Sequence, residues 1–190
     1  MPNYNYKCKL HQIKALALDV DGVLTDGLIL SLPNGDLLRT FESKDRMGMR
    51  MWILKGHPIA IITGGVTQSI STYFENLGIP THCIYQRSRK KLPIFLDFCE
   101  QHGLQPEEVA YVGDDLPDIP VLQRCGLAVC PSDAVTEVKD VCDYVSLYPG
   151  GRGCVRDLIE QLMKVKGQWE LDLDAYDAVV TKDTFIPGTR

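Results

Sequence analysis

The stretch Ala15-Leu16-Ala17-Leu18-Asp19-Val20-Asp21-Gly22 constrains the fold of this chain more than any other. Its first half is an unbroken apolar run of small and branched side chains. A strand with no polar face must be covered on both sides, which places it in the middle of a parallel sheet. Its second half puts two carboxylates where that strand stops, followed by a glycine that lets the backbone turn away. Open α/β sheets bind ligands at the carboxyl ends of their strands. Two acids there are costly neighbours unless a cation or a proton shares the site. On its own, the pair reads equally well as a turn cap.

The rest of the chain repeats the pattern. Pro58–Ile62 is a second apolar run, ending in Thr63-Gly64-Gly65. Val109–Val112 is a third, ending in Gly113-Asp114-Asp115, and Leu127–Cys130 and Tyr144–Ser146 are the last two. His82–Tyr85 reads as a short strand. Helical patterns lie between, over Asp45–Lys55, Val66–Leu77 (stopped by Gly78), Leu92–His102 (stopped by Gly103), Asp118–Arg124 and from Gly153 to about Lys166. This alternation predicts an α/β fold, a doubly wound parallel sheet with helices on both faces, within one domain over residues 1–166. Residues 167–190 lack clear periodicity and read as a tail, either mobile or docked elsewhere.

One segment departs from the pattern. Leu28–Leu32 and Leu37–Phe41 flank Pro33-Asn34-Gly35-Asp36, the signature of a β-hairpin. It follows the Asp19–Asp21 loop directly and should project near the site. Its apolar face must pack on the domain or against another subunit.

Composition limits the functional classes. At 45% hydrophobic and 24% charged residues the chain is an ordinary globular protein, and a net charge of −5 argues against nucleic acid as the main partner. No apolar run approaches the ~20 residues needed to span a bilayer, and Met1–Leu10 has no signal-peptide core. The seven cysteines are scattered and odd in number, which argues against a disulfide framework or a zinc site. They read as small buried hydrophobes in a reducing compartment, hence a cytoplasmic location. His11, His57, His82 and His102 lack metal-ligand spacing and read as structural.

Four polar signals therefore fall in order: Asp19-x-Asp21, Thr63-Gly64, Lys91 opening a helix, and Gly113-Asp114-Asp115-x-x-Asp118. Taken singly, Thr63 is a strand-end cap, Lys91 belongs to a solvated basic run and Asp118 caps its helix. Together they resemble the motif set of the haloacid dehalogenase superfamily of phosphohydrolases over residues 13–166, including the extended form from Asp19 to Asp26. The residue types suit phosphoryl transfer, which needs a nucleophile, charge neutralisation and a proton donor. The resemblance implies Asp19 as nucleophile, forming an aspartyl-phosphate, and Asp21 as the acid and base. It implies Mg²⁺ held by the Asp19 carboxylate, the Asp21 main-chain carbonyl and Asp114. Thr63 and the Gly64 amide would hold phosphoryl oxygens, Lys91 would add positive charge, and Asp115 and Asp118 would orient the metal site and Lys91.

No insertion large enough for a cap domain separates these motifs. Finer detail resembles the capless 3-deoxy-D-manno-octulosonate 8-phosphate phosphatases: Phe41-x-x-Lys44-Asp45-x-x-Gly48, Tyr111–Val121 and Gly150-Gly151-Arg152-Gly153-x-Val155-Arg156. That resemblance implies a phosphorylated sugar acid as substrate and a homotetramer in which hairpins lid neighbouring sites. The substrate carboxylate needs a further cation, for which Arg152, Lys44, Arg46, Arg87 and Arg89 are candidates. One departure is Asp45-Arg46-Met47, where relatives commonly read Asp-Gly-aromatic. It keeps a nine-carbon keto-sugar acid 9-phosphate open as an alternative substrate. A non-catalytic oligomeric scaffold is the non-enzyme alternative, and a glycosyltransferase-type Asp-x-Asp metal site leaves Lys91 and Asp114 without a role.

Overall fold

A computed structural model describes residues 6–33, 35, 37–170 and 172–180. Six parallel strands form the central sheet: β1 (Ala15–Leu18), β4 (Ile59–Ile62), β5 (Ile84–Tyr85), β6 (Val109–Val112), β7 (Leu127–Cys130) and β8 (Tyr144–Val145). Their order is β5-β4-β1-β6-β7-β8. Every residue of β1, β4, β6 and β7 is buried, as their unbroken apolar sequences require. β1 is central, pairing Leu16 with Ile59 on one side and with Ala110 on the other.

The chain first steps outward from β1 to β4 and β5, then returns across β1 to β6, β7 and β8. With right-handed crossovers, that reversal puts the two sets of helices on opposite faces. Helix α1 (Ser43–Leu54) packs against α6 (Cys154–Val165) and against α2 (Gln68–Leu77), whereas α3 (Lys91–Gln101) packs against α4 (Ile119–Leu122). The fold is thus the expected doubly wound α/β sheet. Its switch point lies between β1 and β6, where open sheets of this kind form their binding crevice.

Asp45 ties the first face together. It is buried in α1, and its carboxylate accepts the main-chain N–H groups of Gly153 (3.1 Å) and Arg156 (2.6 Å) where α6 begins. A carboxylate at a helix N-terminus satisfies donors that the helix itself leaves unpaired. Burial nevertheless pushes its pKa up, to about 6.

Several elements differ from expectation. The hairpin pairs only β2 (Leu30–Ser31) with β3 (Leu37–Leu38), and its turn residues Asn34 and Asp36 lie outside the described residues. Leu28, Ile29, Leu30 and Leu38 are exposed, so the apolar face is not absorbed by the domain. His82 and Cys83 belong to a 3₁₀ turn, Thr81–Cys83, that follows Pro80, and only Ile84 and Tyr85 reach the sheet. The expected Asp118–Arg124 helix divides into a 3₁₀ turn, Leu116–Asp118, and the short α4, with Pro117 and Pro120 in their first turns. A one-turn helix, α5 (Thr136–Lys139), has too few residues to carry a periodic signal. Leu173–Val180 is helical, although eight residues are too short a window to show amphipathic spacing. Before it, Trp169 is half-buried beneath the Arg156 guanidinium, 4.5 Å from its ring centre. All seven cysteines are free, and five of them are buried. Among the described residues no helix is long and apolar enough to cross a membrane.

Candidate active site

The carboxyl ends of β1, β4 and β6 open into a cavity of about 460 Å³. Its lining includes Asp19, Asp21, Thr63, Gly64, Lys91, Asp114, Asp115 and Asp118. Residues separated by almost 100 positions in sequence therefore meet because three parallel strands end side by side.

Each carboxylate is held differently. Asp19 follows β1 directly and is nearly buried. Its Oδ1 accepts the Val20 N–H at 2.7 Å, and its Oδ2 faces the Lys91 Nζ at 2.8 Å. Lys91 is the first residue of α3, and its buried ammonium also donates to Asp118 Oδ1 at 2.7 Å. Burial works against that ammonium, but the two carboxylates outweigh it and hold its pKa above the ordinary lysine value.

Asp118 is saturated. Oδ1 also accepts the buried Tyr111 hydroxyl at 2.6 Å, and Oδ2 accepts the main-chain N–H groups of Asp114 (3.0 Å) and Asp115 (3.3 Å). Its lone pairs are used in fixing the loop after β6 and the position of Lys91. Asp115 is exposed, and its carboxylate accepts the Leu116 N–H at 2.8 Å, capping the Leu116–Asp118 turn.

Asp114 is the opposite case. Its Oδ1 is buried and has no hydrogen-bond partner in the protein. An unsatisfied buried carboxylate oxygen costs on the order of 1–3 kcal/mol, more when charged. Burial, reinforced by the nearby Asp19 and Asp118 charges, raises the Asp114 pKa to about 8. Burial likewise raises Asp19 to about 7, against the pull of Lys91. Carboxylate oxygens of Asp19, Asp114 and Asp118 lie within 4.8 Å of one another. Asp118 is spent on its hydrogen bonds, so Asp19 and Asp114 are the donors left to share a cation. Hard oxygen donors of this kind fit a divalent ion, which would hold both carboxylates ionised.

Gly22 makes this approach possible. Its φ is +89°, and a Cβ there would sit 2.0 Å from Asp114 Oδ2, so any side chain would close the crevice between the two acidic loops.

Asp21 meets a partner that the sequence does not single out. Arg39, just beyond β3, grips it with two bonds, Nε to Oδ1 at 2.5 Å and Nη2 to Oδ2 at 3.0 Å. The Arg39 side chain is almost fully buried by this contact. Gly65 leaves room for it, since a Cβ there would lie 2.8 Å from Arg39 Nη2. The only hint in the sequence is an arginine in the otherwise apolar return strand of a hairpin adjoining the site. Thr63 is buried at the end of β4, and its hydroxyl oxygen accepts the Gly65 N–H at 3.0 Å, leaving the hydroxyl hydrogen for an anion.

The remaining basic residues spread out. Arg89 lines the cavity, whereas Lys44, Arg46, Arg87 and Arg152 do not. Arg46 lies over the Tyr73 ring at 5.1 Å, Arg87 is exposed with φ of 59°, and Arg152 reaches Asp26 at 3.4 Å on the surface. Arg152 does stand beside the first acidic loop, because the Gly151 N–H donates to Val23 O at 2.9 Å.

Comparison with known proteins agrees with this geometry. The haloacid dehalogenase-like hydrolase family matches residues 49–126. The 3-deoxy-D-manno-octulosonate 8-phosphate phosphatase KdsC of Escherichia coli K12 is 42% identical over 160 residues, 84% of each chain. The crystal structure of the phosphatase of that name from Yersinia pestis superposes with a TM-score of 0.83 at 34% identity, covering 86% of this chain and 87% of the other. That of the Moraxella catarrhalis phosphatase, in complex with magnesium, phosphate and KDO, superposes with a TM-score of 0.82 at 30% identity, covering 92% and 97%. A capless fold, a crevice of carboxylates with one lysine and these relatives exclude the scaffold alternative, and the protein is a phosphatase. The chain belongs to the haloacid dehalogenase-like hydrolases, in the family of the 3-deoxy-D-manno-octulosonate 8-phosphate phosphatases.

Proposed function

We propose that the protein hydrolyses 3-deoxy-D-manno-octulosonate 8-phosphate to the free sugar acid and inorganic phosphate, using Mg²⁺. The observation that carries this reading is the meeting of Asp19, Asp21, Thr63, Lys91 and Asp114 in one crevice, in a chain 42% identical to a phosphatase of that substrate.

In this mechanism an Asp19 oxygen attacks phosphorus, and the bond from phosphorus to the sugar oxygen breaks. Asp21 gives its proton to the departing oxygen. Water then attacks the aspartyl-phosphate, Asp21 takes a proton from it, and Asp19 is released as carboxylate. Lys91 orients Asp19 and offsets the charge of the phosphoryl oxygens, which the Thr63 hydroxyl and the Gly64 amide also bind. The Asp19 and Asp114 carboxylates and the Asp21 main-chain carbonyl would hold Mg²⁺, which would supply further positive charge at those oxygens. Asp118 keeps Lys91 and the Asp114 loop in place, and Asp115 supports the same loop.

Arg39 must release Asp21 for the proton transfers, so the hairpin couples substrate entry to the acid–base group. The exposed Leu28, Ile29, Leu30 and Leu38 favour a homotetramer in which hairpins cover neighbouring sites. Arg89 is the best-placed basic residue for the substrate carboxylate, with Arg152, Lys44, Arg46 and Arg87 as further contacts from the same or a neighbouring subunit. Residues 1–166 form the phosphatase domain, with the hairpin near 28–41 and a tail over 167–190. Free, mostly buried cysteines suit the cytoplasm.

Arg46 favours one second reading, a nine-carbon keto-sugar acid 9-phosphate. A panel of sugar phosphates assayed with Mg²⁺ and with EDTA tests both. A higher kcat/KM for the eight-carbon ester, abolished by EDTA, is expected. Preference for the nine-carbon ester moves the assignment, and turnover undiminished in EDTA contradicts it.

A further inference from the structure

The edge of the sheet opposite the crevice carries a second cluster of metal-binding side chains. His82 and Cys83 lie on the 3₁₀ turn that precedes β5, and His102 caps the C-terminus of α3. The same helix thus begins with Lys91 in the crevice and ends at this cluster, so its 11 residues separate the two by about 16 Å. Donor atoms of the three residues all lie within 4.8 Å of one another. Cys83 Sγ and His102 Nε2 are 3.5 Å apart, and the His82 and His102 rings are nearly parallel, 19° apart in plane.

These distances suit one small ion. A tetrahedral centre with bonds of about 2.3 Å to sulfur and 2.0–2.1 Å to nitrogen holds its ligand atoms roughly 3.3–3.8 Å apart. The Cys83–His102 pair is already at that spacing. His82 is exposed, so a rotation of its side chain closes the remaining gap without moving the core. His102 is fixed by Phe98, whose ring centre is 4.6 Å away. Cys83 and His102 also line a cavity of about 310 Å³.

We propose that His82, Cys83 and His102 form a second cation site, selective for a borderline ion such as Zn²⁺ or Co²⁺. One thiolate and two imidazoles suit these ions and disfavour Mg²⁺, whereas the crevice offers only hard oxygen donors. Binding releases the Cys83 thiol proton to solvent, and water completes the shell. The ion clamps the end of α3 to the start of β5. The three ligands stand at positions 82, 83 and 102, a spacing unlike the common paired zinc motifs, which hides the site from sequence.

Titration of the metal-free protein with Co²⁺ tests this, because a thiolate ligand produces a near-ultraviolet charge-transfer band that oxygen ligands do not. The band should appear in wild type and in Asp114→Asn, be absent in Cys83→Ser, and need at least about 10–100-fold more Co²⁺ in His102→Gln. Mg²⁺-dependent phosphatase activity of Cys83→Ser and His102→Gln should match wild type, showing that both variants are folded. No band in wild type, a band surviving in folded Cys83→Ser, or a band lost in Asp114→Asn overturns the proposal.

Discussion

The carboxyl edge of the sheet and the β2–β3 hairpin meet at Asp21, yet they are built on opposite principles. At the sheet edge the functional side chains leave buried strand ends or the first turn of a helix, and Asp19, Lys91 and Asp118 are held by fixed partners. Asp118 alone binds Lys91, Tyr111 and the Asp114 and Asp115 main chain. The hairpin pairs two residues with two and leaves Leu28, Leu30 and Leu38 in solvent, so pairing between its strands does little to support it. Groups that must sit within fractions of an ångström are carried by the core. The hairpin is instead anchored at its base, by the Arg39 ion pair to Asp21 and by Phe41 stacked on Tyr73.

Substitutions can break that contrast. The largest effect is expected at Asp19. Asp19→Asn should lower kcat by at least about 10⁴-fold on any phosphate monoester, a loss typical of removing a nucleophile. Asp118→Ala comes next. It leaves the buried Lys91 ammonium short of one partner and frees the loop after β6, so thermal or denaturant unfolding should show a loss of about 3–5 kcal/mol. Arg39→Ala should have a smaller effect of a different kind. It should lower kcat/KM by about 10–100-fold through mispositioning of Asp21, without abolishing binding of Mg²⁺ measured by calorimetry. Equal loss of stability in Asp118→Ala and Arg39→Ala would show that the hairpin is as integral to the core as the sheet edge.

A pH series gives the mildest test. Asp19 and Asp114 have pKa values raised by burial to about 7 and about 8, above those of an unfolded chain. Between about pH 4 and 8 the metal-free native state therefore holds more protons than the unfolded state. Stability in EDTA should be greatest below about pH 4 with respect to these groups and decline as pH rises to 8. Mg²⁺ should flatten that decline, because the bound cation stabilises both carboxylates in their ionised form. A decline that Mg²⁺ leaves unchanged would separate these two acids from the cation.

The two regions also differ in how readable they were. Ala15–Leu18, Ile59–Ile62 and Val109–Val112 are apolar on both faces, and that property alone implies a central parallel sheet whose ends carry Asp19, Thr63 and Asp114. Lys91 was legible only within the ordered set of four motifs, since alone it belongs to the basic run 87–91. Arg39 was not, since a hairpin fixes its side chains through turn geometry and distant packing rather than through periodicity. The saturation of Asp118 was hidden for a related reason. Tyr111 looks like any buried strand residue until its hydroxyl is seen on the carboxylate. His82 and Cys83 lie on a 3₁₀ turn where the sequence reads as the start of β5, and His102 meets them from the end of α3.

The role proposed for Asp19 is to carry the phosphoryl group between the two halves of the reaction. Its most direct test is rapid acid quenching of the Mg²⁺-loaded enzyme during turnover of ³²P-labelled 3-deoxy-D-manno-octulosonate 8-phosphate, followed by peptide mapping. Hydroxylamine-sensitive label on the peptide Ala15–Arg39, localised to Asp19 and absent from Asp19→Asn, is the predicted result. Full turnover with no trapped label, or with label on another residue, would contradict it.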